Sequence, residues 1–206
     1  CTVVNNEGDS HGGGMLFDES SSTVINCTIA DNHADSRGGG IFCCDGAVVQ
    51  VINSIIWGNT SGDQGPAITV REGSTISLDY CDVEAGQAGV EVSSDSTLNW
   101  GMGMMDEDPL FVGGTPYDYH LTGLSPCIDG GTDDSVTYPN LPTDDIDGDS
   151  RPMDTGYDIG SDEMAAENPC VKHGDVNFNG ALTAEDAQMT FNIVLGTYIP
   201  TVVEEC

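Results

Sequence analysis

The sequence has very few basic residues, and this shortage restricts its partners. Only four Lys and Arg stand against 35 Asp and Glu in 206 residues, so the formal net charge is −31. A nucleic-acid backbone is bound mainly through Lys and Arg, and an anionic membrane surface repels an acidic protein. Nucleic acid and anionic membranes are therefore poor partners for this chain.

Long apolar runs and helical periodicity are also missing. No apolar run reaches the ~18 residues of a membrane span, so we expect none. No segment before residue 183 has the 3.6-residue periodicity of a helix, which argues against a βαβ fold. Aromatic residues are sparse as well. Trp57, Tyr80 and Trp100 are too few to form the row of exposed rings that passive carbohydrate binding along a surface would use.

The first hundred residues repeat at intervals of 26 to 27 residues. A fixed period in this range indicates a repeat architecture, in which each unit buries its apolar face against its neighbours. Glycine-containing stretches recur at the same spacing, at Gly12–Met15, Gly38–Ile41 and Gly65–Ile68. The repeated segments themselves are Cys1–Asn6, Cys27–Asn32, Ser54–Asn59 and, more faintly, Cys81–Glu84.

Within each repeat the apolar residues alternate, as they do in a strand. The position two residues after each repeat start is aliphatic in every copy, being Val3, Ile29, Ile56 and Val83. At roughly 3.3 Å per residue, one repeat has room for three short strands and their corners. We therefore predict an all-β chain, with a right-handed parallel β-helix of 26 to 27 residues per rung in residues 1–165.

Asparagine recurs at one position of this repeat, as Asn6, Asn32 and Asn59. Stacked amides can donate to one rung and accept from the next, and asparagine tolerates a left-handed corner. The alternative is three separate turns. We predict an internal asparagine ladder, and a second corner at the glycine stretches, where backbones approach closely.

The even number of cysteines favours an oxidising, extracellular or cell-surface location. No Cys-X-X-Cys metal pattern accompanies them. Cys1, Cys27 and Cys81 share a repeat position, which would bring stacked cysteines within bonding range. Cys170 and Cys206 bracket the C-terminal segment. The disulfide candidates are Cys1, Cys27, Cys43, Cys44, Cys81, Cys127, Cys170 and Cys206, and the adjacent Cys43 and Cys44 should point to opposite sides of a strand.

Two Asn-X-Ser/Thr tripeptides, at Asn26 and Asn59, are acceptor sequences for N-glycosylation. Such tripeptides also arise by chance, and Asn59 belongs to the predicted inward ladder. The chain begins inside a repeat without a signal peptide. We expect either a processed mature chain or an incomplete one.

After residue 99 the period gives way to a series of short motifs. In this order they resemble the right-handed β-helix proteins of bacterial surfaces, a likeness that covers about residues 1–163. The resemblance implies a final rung and a cap, and it implies no single activity. The motifs are Asp108–Val112, Tyr119–Leu121, Ser125–Gly131, Asp145–Pro152 and Tyr157–Glu163. The acidic stretch Thr143–Asp149 is either a Ca²⁺ loop or an acidic capping turn with Arg151 as its counter-charge, and we favour the turn.

The C-terminal segment 166–206 has the pattern of a Ca²⁺-binding hand followed by a helix. Gly180 lies where an EF-hand loop turns sharply. The predicted ligands are Asp175, Asn177, Asn179, Ala181 through its carbonyl, Thr183 and Asp186. The segment resembles half of a type I dockerin, which implies a cohesin-like partner. However, the second hand is missing, and Ala184 and Glu185 stand where dockerins usually carry small hydroxyl residues.

No catalytic constellation stands out in the sequence. Arg37 and Arg71 are the only basic residues of the coil that a lyase-like mechanism could use, and a surface salt bridge is the commoner role. His11, His33 and His120 have no partner at metal or catalytic-triad spacing. Carboxylates are so numerous that no pair can be singled out for hydrolysis.

Two hypotheses for the function follow. The first is a non-catalytic, secreted structural or adhesive scaffold that assembles with other subunits or a scaffold protein, including head-to-tail into an extracellular fibre, and carries a Ca²⁺-binding tail. The second is a carbohydrate-active module, similar to a polysaccharide lyase or glycoside hydrolase, anchored through that tail.

Overall fold

The computed structural model describes residues 1–113 and 118–165, together with two strands at 171–175 and 203–205. Two compact units make up the chain, Cys1–Ala165 and Ala166–Cys206. The first unit holds the repeats and the motifs that follow them. Its regular structure is built almost entirely from short strands.

The repeats form successive rungs of strands. The first rung contains Thr2–Val4 (β1), Glu7–Gly8 (β2), Met15–Asp18 (β3) and Ser21–Ile25 (β4). The second contains Thr28–Ala30 (β5), His33–Ala34 (β6), Ile41–Cys44 (β7) and Val48–Ile52 (β8). The third contains Ile55–Trp57 (β9), Thr60–Ser61 (β10), Ile68–Val70 (β11) and Thr75–Asp79 (β12). The last contains Asp82–Val83 (β13), a 3₁₀ helix at Gly86–Gly89, Val90–Val92 (β14) and Thr97–Trp100 (β15).

Equivalent strands of successive rungs pair in parallel and form four sheets. The first sheet has the order β1-β5-β9-β13, and the second has the order β10-β6-β2. The third sheet has the order β14-β11-β7-β3, and the fourth has the order β15-β12-β8-β4. The unit is therefore an all-β parallel solenoid of about three turns, which confirms the predicted parallel coil. The first three rungs have four strands where three were predicted, because a two-residue strand occupies one corner.

The period shortens in the last rung. Ile41 pairs with Ile68, a spacing of 27 residues, but Ile68 pairs with Val90, a spacing of only 22. The second sheet ends at β10, and the 3₁₀ helix takes a shorter path between the first and third sheets. This shortcut explains why the fourth repeat is faint in the sequence.

The alternating aliphatic residues fill the interior of the coil, as predicted. Ile29, Ile56 and Val83 are fully buried, and Val3 packs against the same cluster. Burial of such a side chain contributes about 1.5–3 kcal/mol, so the stacked aliphatic rows are the main favourable term for this fold.

Both predicted corners are present, although the first differs in detail. The left-handed residues there are Asn5, Asp31 and Gly58, each one position before a ladder asparagine. At the second corner the backbones approach closely. A Cβ atom on Gly39 would lie 2.2 Å from the carbonyl oxygen of Thr60, so only glycine fits without displacing the neighbouring rung.

Residues 101–165, here called the flank segment, only briefly continue the coil. The amide of Val83 donates to the carbonyl of Met105, which completes the last rung. The segment then packs on the outer side of the first sheet, where Leu121, Cys127 and Ile159 bury against Ile55. The resemblance implied a final rung and a cap. The rung is present, but the rest of the segment covers the side of several rungs, because the first sheet has an apolar outer face to bury.

In the second unit, Val171–Asp175 (β16) pairs antiparallel with Val203–Glu205 (β17). Within the part of the chain that the structure describes, no helix has the length and apolar character of a membrane span.

Candidate functional site

The predicted asparagine ladder is formed. The Asn32 Oδ1 atom accepts hydrogen bonds from the amide and the Nδ2 of Asn6, at 3.0 and 2.8 Å. The Asn59 Oδ1 atom accepts the corresponding pair from Asn32, both at 3.0 Å. Asn32 and Asn59 are buried, and their Nδ2 atoms also donate to the carbonyls of Val3 and Ile29. The ladder therefore serves structure, and its interior amides are unavailable to a ligand.

A second asparagine pair, which sequence reasoning missed, attaches the flank segment to the coil. Asn53 exchanges two hydrogen bonds of 2.9 Å with the backbone of Thr132, and Asn26 donates to the carbonyl of Asp158 at 3.0 Å. The 27-residue spacing of Asn26 and Asn53 was a visible signal in the sequence, because it equals the spacing of Asn32 and Asn59 in the first ladder.

The two predicted glycosylation sites do not fit this fold. Asn26 is 2% exposed and Asn59 is 4% exposed. Both Nδ2 atoms donate to buried backbone carbonyls, so a glycan at either position would break these bonds and separate packed rungs. The structure therefore argues against glycosylation of Asn26 and Asn59.

The six cysteines of residues 1–113 and 118–165 are free thiols in the structure. Cys27 and Cys81 do not stack directly, because Ser54 occupies the position between them. Cys43 lies in the coil interior and Cys44 on the opposite side of β7, as predicted. Burial raises the pKa of Cys43 and Cys81 to about 12, which makes these thiols poor nucleophiles. Cys170 and Cys206 lie outside the described residues.

The third sheet presents an open groove on its outer face. Its volume is about 490 Å³, and Leu16 and Phe42 contribute apolar surface to it. Phe42 lies against the imidazole of His11, with ring centroids 4.5 Å apart. The other lining residues are Ser10, Arg37, Cys44, Arg71 and Glu72. This groove is the main candidate for partner binding.

Basic residues concentrate in this groove. Arg37 and Arg71, two of the four basic residues of the chain, both line it. The Arg37 Nε atom is buried without a hydrogen-bond partner among the described residues. Because the protein as a whole has a net charge of −31, this groove is the part of the described surface that is best suited to bind a carboxylate. Glu72 opposes this attraction from the groove's own lining.

A buried ionic cluster holds the end of the flank segment together. The Arg151 Nη1 atom donates to the Glu163 Oε2 atom at 2.7 Å, and both side chains are almost fully buried. Glu163 also accepts from the amides of Met153 and Asp158. Burial raises the pKa of Asp158 to about 7, although amide donors from Met164 and Asp129 act against the rise. Arg151, Asp158 and Glu163 are all buried and are bonded within the flank segment.

The acidic stretch Thr143–Asp149 forms a turn, here called the Asp145 turn. The Asp145 Oδ1 atom accepts the amides of Asp147, Gly148 and Asp149, and Oδ2 accepts the amide of Glu163. Both Asp145 oxygens are therefore occupied by the backbone. The predicted counter-charge was wrong, because Arg151 pairs with Glu163 instead.

His120 does have close partners, contrary to the expectation from spacing. Its Nδ1 atom hydrogen-bonds to Asp118, and its Nε2 atom lies 2.8 Å from the Asp147 Oδ2 atom. A ring nitrogen of His120 and one carboxylate oxygen each from Asp147 and Asp162 lie within 4.8 Å of one another. The hydrogen bond to Asp118 raises the pKa of His120. His11 and His33 belong to no such group of three among the described residues.

The predicted Ca²⁺ hand lies almost entirely outside the described residues. Asp175 ends β16, and nothing is described of its side chain. The positions outside are Asn177, Asn179, Ala181, Thr183 and Asp186. The hand therefore remains a prediction from sequence.

Comparison of this chain with protein-family models, with curated proteins and with solved structures finds no match. Its architecture defines the class of the protein: within the described residues the chain is an all-β parallel solenoid with almost no helix.

Proposed function

We propose that this protein is a non-catalytic structural or adhesive scaffold of the cell exterior, which assembles with acidic partner subunits. The observation that carries this proposal is the open groove of the third sheet, which gathers Arg37, Arg71 and His11 on an otherwise acidic body. Arg guanidinium groups bind carboxylates in a bidentate manner, and Leu16 and Phe42 supply adjoining apolar contact.

A second copy of this chain satisfies the chemistry of the groove. Its 35 acidic residues offer carboxylates for Arg37 and Arg71, and a contact between unlike surfaces can repeat head to tail into a fibre. The net charge opposes association at long range. This repulsion extends about 30 Å at 0.01 M salt and about 8 Å at 0.15 M, so assembly should require moderate salt or divalent cations.

The experiment is analytical ultracentrifugation with electron microscopy at about 0.15 M and about 0.01 M salt, with and without EDTA. We expect oligomers or fibres at the higher salt concentration, and their loss in Arg37→Gln and Arg71→Gln. Glu72→Gln is the matched control in the same groove, and it should strengthen assembly because it removes a competing carboxylate. Monodisperse monomers under all four conditions would overturn assembly.

We also propose a Ca²⁺ site in the C-terminal segment, supported by the loop pattern of its oxygen ligands. Asp175 takes the first ligand position of that pattern. Calcium titration by calorimetry tests it. We expect the parent protein to bind one Ca²⁺ and the Asp175→Ala variant to bind none. Equal Ca²⁺ binding by the parent and the variant would contradict the site.

A carbohydrate-active module is the second candidate, because the same groove has the volume and the basic residues to hold an acidic sugar. In this case Arg37→Gln would abolish the release of unsaturated or reducing sugar from acidic polysaccharides. Absence of any product across a broad panel, with and without Ca²⁺, would end this alternative.

A further inference from the structure

We propose that His120, Asp147 and Asp162 form a site for a divalent transition metal, suited to Zn²⁺, in the flank segment. One ligand atom from each residue lies within 4.8 Å of the others. One imidazole and two carboxylates are a donor set for Zn²⁺ or Mn²⁺, whereas Ca²⁺ prefers oxygen ligands alone. The site is independent of the groove and of the proposed function.

The imidazole of His120 is oriented in the way that is usual for metal-binding histidines. Its Nδ1 atom is engaged by Asp118, which leaves Nε2 directed toward Asp147 at 2.8 Å. Histidine ligands usually bond through their second nitrogen to a carboxylate or carbonyl, which fixes the ring. Asp118 is thus a positioning residue.

Asp162 is the most buried of the three proposed ligands. The side chain is 5% exposed, and among the described residues it receives one hydrogen bond, from the Leu121 amide to Oδ2. A buried carboxylate with so few donors is costly unless a positive charge lies beside it. His120 lies beside Asp162 and provides that charge when the imidazole is protonated, and a bound cation would replace it.

Asp147 is positioned by the Asp145 turn. Its amide donates to the Asp145 Oδ1 atom at 2.8 Å, and Asp145 Oδ2 accepts the Glu163 amide, next to Asp162. Ligands around a tetrahedral Zn²⁺ with bonds of about 2.0–2.1 Å stand roughly 3.3 Å apart. The His120 and Asp147 side chains would therefore separate by about half an ångström to admit the metal. The metal would join three stretches of the flank segment that are distant in sequence.

The test is Zn²⁺ titration of the full-length chain by calorimetry, with excess Ca²⁺ present to saturate oxygen-only sites. We expect one Zn²⁺ per chain, at least ~100-fold weaker binding in His120→Gln and Asp147→Asn, and ~10-fold weaker binding in Asp118→Asn. Asp149→Asn, in the same turn, and His33→Gln should bind as the parent does. Co²⁺ substitution should give a visible spectrum without thiolate charge-transfer absorption.

Melting curves of the metal-free proteins show whether each variant folds. If His120→Gln does not fold, Asp147→Asn still tests the site, because its amide oxygen remains a hydrogen-bond acceptor for His120. Unchanged Zn²⁺ affinity in both folded variants would overturn the site. So would equal losses in the two control variants, or thiolate absorption with Co²⁺, which would assign the metal to cysteine.

Discussion

Arg151 and Glu163 form a buried ion pair in which the Arg151 Nη1 atom donates to the Glu163 Oε2 atom across 2.7 Å. The pair joins two motifs of the flank segment, Asp145–Pro152 and Tyr157–Glu163. Arg151 also donates to the Gly160 carbonyl, and Glu163 accepts two backbone amides. The end of the flank segment, which packs on the first sheet, is therefore held together by two buried charges.

Removing either charge should destabilise the first unit strongly. Glu163→Gln leaves the Arg151 guanidinium buried without a counter-ion, and we expect a loss of about 3–5 kcal/mol in the free energy of unfolding. The double variant Arg151→Met with Glu163→Gln should lose less than the sum of the single variants. Urea unfolding at neutral pH measures all three, and additive losses would contradict a coupled pair.

The asparagine ladder should be most sensitive in its middle. Asn32→Ala removes a buried amide that makes four hydrogen bonds, and we expect a loss of about 3 kcal/mol. Asn6→Ala, at the exposed end, should cost only about 1 kcal/mol. Equal effects in thermal unfolding would show that the ladder does not act through buried hydrogen bonds.

The close approach at the second corner predicts a contrast between two glycines. Gly39→Ala places a Cβ atom 2.2 Å from the Thr60 carbonyl oxygen, so about 3 kcal/mol should be lost as the rungs separate. Gly46 has φ of +75° but open space around it. Gly46→Ala should therefore cost only about 1 kcal/mol of backbone strain, measured by the same unfolding curves. A similar loss in both would refute the steric argument.

Asp82 should make the fold more stable in mild acid. Burial raises its pKa to about 6, while in the unfolded chain the value is about 3.9. Between these values the folded state keeps a proton that the unfolded state has lost, so stability falls as the pH rises from about 4 to 6. At about 1.36 kcal/mol for each unit of pKa difference, the change is on the order of 2 kcal/mol.

Asp82→Asn should flatten that slope, and chemical unfolding at a series of pH values measures it. Asp95→Asn is the control, because a hydrogen bond from Ser93 lowers the pKa of Asp95. The stability that Asp95 provides is present above its unfolded value and is lost only as the pH falls below about 4. A slope between pH 4 and 6 that survives in Asp82→Asn would assign the effect to other groups.

Prediction from sequence succeeded where residues repeat and failed where the partners are not periodic. The aliphatic rows at Ile29 and Ile56 and the ladder at Asn32 and Asn59 follow from a constant spacing, which parallel stacking requires. The left-handed residue of the first corner was predicted one position too late, at the ladder asparagine. The sequence alone does not distinguish the two positions, because an asparagine at either one suits a left-handed conformation. The shortened last rung was also not predicted, because in the sequence a rung that lacks one corner looks like a repeat of weak similarity.

The sequence by itself determined the parallel coil, because an alternating pattern repeated every 26 to 27 residues can bury its apolar side only by stacking. Only the tertiary structure decided what the flank segment does. Leu121 and Asp162 are 41 residues apart, which is no multiple of the repeat, and the 27 residues between His120 and Asp147 lie in the flank segment, where the repeat no longer holds. Their meeting depends on how the segment packs against Ile55 and the rest of the first sheet, which spacing along the chain does not reveal.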